Sequence, residues 1–211
     1  MVPSETTGPE TARRSFLTGV VGVATALAGC SASESHRVPP ESGTTVTDYV
    51  AATARAPGER PPVVTPRADD GGGSTDGAST AEPLTLHTVE SESDAEAFEF
   101  AEDATNVPAA RRLLAETTYG SESVLVFQTR VGECYRLRLN YVTRDDDGDP
   151  NLQFCRVIRD ANTACERGAS DHAAAFVRLP FPADEYDGLS AGSGGSCDPI
   201  PDRFRNGSDS A

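Results

Sequence analysis

"SVLVFQTRVGECYRLRLNYV", Ser123–Val142, decides how the chain is read. Its first half, Ser123–Val131, is rich in β-branched and apolar residues and is the most convincing strand of the chain. Its second half alternates: Tyr135, Leu137, Leu139 and Tyr141 fall on one face, and Arg136, Arg138 and Asn140 on the other. That period of two belongs to a strand with one wet face. Val131-Gly132-Glu133 forms the turn between the halves, and consecutive hairpins of this kind make neighbouring strands antiparallel.

Working outward, "RDDDGDPN" (144–151) carries turn chemistry and "LQFCRVIR" (152–159) returns as a further strand. "AAAFVRLPF" (173–181) is a last strand, closed by Pro180 and Pro182. Upstream, "LTLHTV" (84–89) reads as a strand and "AFEFAE" (97–102) as another. Asn106-Val107-Pro108 opens a short helix that carries Leu113 and Leu114, with proline at the first turn where no backbone donor is needed. The expectation is a mainly β domain over residues 83–200, a small antiparallel β-sandwich or open barrel with one short helix. "GLSAGSGGSCDP" (188–199) is flexible in composition, and residues 201–211 form a flexible tail.

Residues 30–82 are rich in Pro, Gly, Ser and Thr and lack an apolar period, the composition of a disordered tether. Before them stands "RRSFLTGVVGVATALAGC" (13–30). Phe16–Gly29 holds no charge, yet it is shorter than the ~20 residues that span a bilayer. A charged start, a short apolar stretch and small residues at its end describe a cleaved export signal over residues 1–29. Arg13-Arg14-Ser15-Phe16-Leu17 resembles the twin-arginine (Tat) export motif, in which Arg13, Arg14, Phe16 and Leu17 are the signature positions. Leu27-Ala28-Gly29-Cys30 resembles a lipobox, which implies lipid on Cys30 and a protein anchored to the cell membrane, facing outward. A retained N-terminal anchor is the competing reading.

The formal net charge is −15, and all 18 basic residues are arginine. Removing residues 1–29 takes away two acids and two arginines, so the balance stays at −15. This usage resembles that of proteins from extreme halophiles such as haloarchaea. There, ~1 M salt shortens the Debye length to about 3 Å and mutes carboxylate repulsion, while net charge preserves solubility. Nucleic acid is a poor partner, because its binding proteins carry a basic footprint. Ser123–Pro180 is similar to a family of haloarchaeal Tat-exported lipoproteins. More distantly, the order helix, "SVLVFQ", "CYRLRL", "LQFCRV", "FVRLP" is similar to PrcB-type C-terminal domains. That likeness implies a role beside a surface protease and carries no catalytic residue.

Cys134, Cys155, Cys165 and Cys197 remain after Cys30, an even set in an exported chain, and are expected in disulfides. A hairpin centred on Asp160–Asn162 would set Cys155 opposite Cys165 and leave Cys134 for Cys197. No Cys-x-x-Cys is present, and the only methionine is Met1, so neither a zinc site nor a blue-copper set is expected. Asp145, Asp147 and Asp149 alternate like calcium ligands, but Pro150 stands where an EF-hand requires glycine. Asp171-His172 could hint at acid–base work. Arg136, Arg138 and Arg156 could share a sheet face that takes an anion. None of these identifies a reaction, and no catalytic residue, metal or cofactor is assigned. The expected function is a surface-tethered, non-enzymatic lipoprotein whose β-domain binds a protein or cell-envelope component. A small secreted hydrolase and a purely structural envelope protein are its rivals.

Overall fold

The computed structural model describes residues 42–58, 60–65, 82–83 and 85–205. The export and lipid-anchor residues Arg13, Arg14, Phe16, Leu17 and Cys30 lie outside the described residues, as does most of the expected tether.

The strands in chain order are β1 (Thr44–Val46), β2 (Val50–Ala56), β3 (Val63–Thr65), β4 (Glu82–Pro83), β5 (Leu86–Val89), β6 (Glu99–Phe100), β7 (Ser123–Gly132), β8 (Tyr135–Arg144), β9 (Pro150–Ile158), β10 (Ser170–Leu179) and β11 (Ser190–Gly194). The helices are α1 (Glu92–Glu96), α2 (Val107–Ala115) and α3 (Asp202–Arg205). Two four-stranded sheets, β1-β8-β9-β11 and β2-β10-β7-β5, form the body, and β4-β3-β6 makes a small third sheet. The fold is therefore mainly β, an open sandwich rather than a closed barrel among the described residues.

The apolar run in β7 has a structural cause. Leu125 and Phe127 face the space between the large sheets with Leu137, Leu152, Phe154 and Val177. Val124 and Val126 face the other way, into a second core with Ala54, Phe98, Leu113, Leu114 and Phe176. The β7–β10 pair is thus buried on both faces, by the partner sheet on one side and by the helices on the other. Continuous hydrophobicity is what such a position requires.

The N-terminal boundary of the folded part moves from residue 83 to β1. β2 is an edge strand of the second sheet, paired with β10 along its length. "VAATARA" has little hydrophobic bulk, but Ala54 and Ala56 are fully buried. A second short helix, α1, joins the expected α2. Its cap is Ser91, whose hydroxyl accepts the Asp94 N–H at 3.2 Å. α2 starts at Asn106 in the left-handed region, φ 60°, where asparagine is tolerated. The tail expected to be flexible begins with α3, whose Phe204 is fully buried.

β8 departs from simple alternation. Leu139 pairs with Phe154 and Tyr141 with Gln153, so Asn140 is an inserted bulge residue. Beyond it the faces exchange, and Val142 rather than Tyr141 joins Leu137 in the core. Tyr141 instead packs against Phe204, ring centroids 6.2 Å apart.

The disulfides are Cys134–Cys165 and Cys155–Cys197, with Cα atoms 5.1 and 5.0 Å apart. This corrects the expected pairing of Cys155 with Cys165 and Cys134 with Cys197. β9 and β10 do not form a hairpin: β10 leaves the sheet of β9 and enters the other one between β2 and β7. The connecting loop, 159–169, instead runs along the β7–β8 turn. There the Arg159 N–H donates to Cys134 O at 2.9 Å and the Glu133 N–H to Ala169 O at 2.9 Å. Cys165 is thereby brought to Cys134. Cys197 follows β11, which lies parallel to β9 with Gly194 opposite Cys155. The "flexible" glycine-rich stretch is thus a strand ending in a staple.

Candidate functional site

The sandwich is open on one side. β1 pairs only with Val142–Arg144 of β8, so Tyr135–Leu139 is left as a free edge. Across the opening lies β2, the free edge of the second sheet. Between them is a cleft of about 640 Å³, floored by Ala51, Leu137 and Ala173 and flanked by α2. Four guanidinium groups line it, from Arg55, Arg136, Arg138 and Arg159, against the single carboxylate of Asp160.

The four arginines are not equivalent. Arg55 is held on all sides. Its Nε meets Asp171 at 2.6 Å, its Nη1 donates to Tyr135 O at 2.6 Å, and its Nη2 donates to Glu133 O at 3.0 Å. Arg159 Nη1 donates to Glu133 O at 3.0 Å. The side chains of Arg136 and Arg138 have neither a hydrogen bond nor an ion pair among the described residues, and both residues are exposed. In a chain of net charge −15, two adjacent arginines without a carboxylate partner are an exception to the local chemistry. Arg156, expected on the same face, pairs with Leu137 across the strands and so lies on the opposite face from Arg136 and Arg138.

Exposed apolar side chains flank the cleft without lining it. The large hydrophobic side chains left exposed among the described residues are Val50, Tyr135 and Ile158, at 46%, 42% and 71%. Val50 begins β2, and Tyr135 and Ile158 are cross-strand partners on β8 and β9. Tyr135 and Ile158 also border a second hollow of about 460 Å³ beside the Cys134–Cys165 bridge.

Other residues singled out by sequence have structural work. Asp171 and His172 are consecutive on β10 and so point to opposite faces. Asp171 binds Arg55, while His172 Nδ1 lies 3.2 Å from Gly58 O, so no acid–base dyad forms. His87 is half-buried, edge-on to Phe98 with centroids 6.0 Å apart. In the Asp145–Asp149 turn the carboxylates accept backbone N–H groups. Asp145 Oδ1 takes those of Asp147 and Asp149 at 3.1 and 2.9 Å, and Asp149 Oδ1 takes that of Gly188 at 2.8 Å. No group of acids, histidines and cysteines able to hold a metal occurs among the described residues.

Alternation in β8 made Arg136 and Arg138 visible in the sequence. Arg55 and Arg159 were not, because they arrive from β2 and from the loop after β9. No signal in the sequence joins them to β8. Comparison with known proteins finds no matching family model, no matching curated protein and no matching solved structure.

Proposed function

We propose that this chain is a lipid-anchored protein of the outer cell surface, held by Cys30, whose β-domain binds another protein or a cell-envelope component without catalysing a reaction. The observation that carries the binding role is the open side of the sandwich. A concave cleft is lined there by Arg136 and Arg138, whose side chains have no partner among the described residues, with the exposed Tyr135 next to them in sequence. Arginine and aromatic residues beside a pocket are the usual anchors of a binding surface. A purely structural envelope protein has no need of such an opening. The export motif, the lipobox cysteine and two disulfides in one chain are consistent with an oxidising compartment outside the membrane.

Two measurements test this reading. Cys30→Ser should move the protein from the membrane fraction to the medium or leave it unprocessed. Retention on the membrane after cleavage at Gly29 contradicts lipid anchoring. Crosslinking on intact cells, followed by purification of the wild-type protein, should enrich a defined neighbour over a control lipoprotein. Absence of any enriched neighbour contradicts the binding role.

A further inference from the structure

We infer that the cleft between β2 and β8 accepts an extended, acidic polypeptide segment that adds as a strand to the free edge of β8. This rests on the binding role proposed above and names the class of partner. Backbone geometry supplies the first argument. Cys134 O accepts the Arg159 N–H from the β9 side. Along an antiparallel strand this direction alternates, so the backbone groups of Tyr135, Leu137 and Leu139 point to the other side. Tyr135 O confirms the phase, since it accepts from Arg55 across the cleft. Among the described residues, Leu137 N–H and C=O then face the opening with no strand beside them, because β1 stops at Val142.

The opposite wall repeats the pattern. Arg55 N–H and C=O pair with Thr105 at 3.2 and 2.7 Å, so the odd-numbered residues of β2 direct their backbone outward. Asn106 Nδ2 covers Thr53 O at 2.7 Å, leaving the Thr53 N–H and both groups of Ala51 toward the cleft. Unpaired strand edges are templates for another chain, and strand addition of a peptide is a recurring mode of recognition.

Charge selects the peptide. Arg136 and Arg138 are two residues apart on a strand, so their side chains leave the same face about 6.6 Å apart. Acidic residues at alternate positions of an added strand have the same spacing. They would stand beside the two guanidiniums as cross-strand partners. A second copy of this chain is a poor occupant, because a two-fold contact through β8 would set these arginines against their own images. Tyr135 and Ile158 at the end of the edge offer an apolar foothold for the same segment.

The test uses the full-length protein in the salt that keeps it folded. The probe is a fluorescein-labelled peptide, Gly-Thr-Glu-Val-Glu-Val-Glu-Thr-Gly, read by anisotropy. Saturable binding is expected. Replacing each Glu of the probe by Gln, or N-methylating alternate backbone nitrogens, should weaken binding by about tenfold or more, the scale of losing charge-assisted or buried backbone hydrogen bonds. The double variant R136Q/R138Q should weaken the Glu probe similarly and leave the Gln probe unchanged. Its melting point should match the wild type, because neither side chain has a partner among the described residues to lose. If it does not fold, the N-methylated probe decides the matter on wild-type protein.

Failure of the Glu probe to bind overturns the inference. Equal binding of the N-methylated probe also overturns it, by reducing the cleft to a carboxylate site without strand addition. So does polyglucuronate binding where the peptide does not, which would assign the cleft to an acidic polysaccharide. The cell-surface crosslinking separates the two levels. A neighbour captured equally by wild type and R136Q/R138Q keeps the binding role and removes this site. Peptide binding with no captured neighbour keeps the site and removes the surface partner.

Discussion

Arg55 holds the open side of the sandwich in shape. One guanidinium joins β2 to Asp171 on β10 and to the carbonyls of Tyr135 and Glu133 at the β7–β8 turn. The carboxylate of Asp171 also accepts the Gly58 N–H at 3.2 Å. The two side chains are only 15% and 12% exposed, so removing one charge strands the other away from water. Asp171→Ala should therefore lower unfolding free energy by about 3 kcal/mol, measured by denaturant titration at fixed salt. An unchanged midpoint would mean that the carbonyls alone satisfy Arg55. Tyrosines supply a different signal. Burial, with smaller contributions from Asp94 and Glu92, pushes the Tyr119 hydroxyl up to about 12, against a weaker lowering by its hydrogen bond with Thr117. Burial likewise raises Tyr141 and Tyr186. The unfolded chain releases these protons near pH 10, before the folded one does. Stability is thus fully present below about pH 10 and is lost as pH rises toward about 12. Melts across that window should show the decline, and Tyr119→Phe should flatten it. A wild-type curve level through the window would contradict the burial of Tyr119.

Among the elements, β11 depends most on a covalent bond. Its residues are Ser, Ala and Gly, it lies at a sheet edge, and it pairs in parallel with β9. Little apolar area holds it there, which makes the Cys155–Cys197 bridge its main restraint. The bridge closes a sequence separation of 42 residues, for which the chain-entropy model gives about 4 kcal/mol. Cys155→Ala with Cys197→Ala should therefore release the β11 amides to fast hydrogen exchange while β7 and β10 stay protected. Equal loss of protection in all three would make the bridge a support of the whole sandwich. The same strand shows why parts of the fold escaped the sequence. β7 to β10 announced themselves through apolar runs or alternation. β2 is mostly alanine and β11 is alanine, glycine and serine, small residues whose fit depends on what covers them: a neighbouring helix in one case and a disulfide in the other. α1 had a readable cap in Ser91 and Asp94, but five residues are too few for a helical period. Cysteine pairing turned on whether β10 stayed in the sheet of β9 or crossed to the other, and spacing alone carries no trace of that choice. For the cleft, one wall was legible in Arg136 and Arg138. The other came from β2, which read as tether.

For the molecule as a whole, charge sets the conditions under which this packing holds. The chain carries 33 acidic residues against 18 arginines. Its two cores mix valine and alanine with leucine and phenylalanine, aromatics are 6% of the chain and tryptophan is absent, so burial offers a modest surplus over chain entropy. At ~0.1 M salt the Debye length is about 10 Å, and carboxylates across a face of the sandwich repel one another. At ~3 M it falls below about 3 Å, and that repulsion is confined to direct neighbours. Pairs inside the fold, such as Arg55 with Asp171, are screened far less than exposed ones. Salt should therefore relieve the repulsion while sparing the contact that shapes the open side. Thermal midpoints in ~0.1 M and ~3 M KCl should differ by on the order of 10 °C, the higher value in high salt. KCl is the informative salt, because sulfate would also strengthen apolar burial and blur the comparison. Identical midpoints would mean that the acidic excess has no bearing on stability and would remove the halophilic reading. A rise confined to sulfate would assign the effect to the cores instead of the charge.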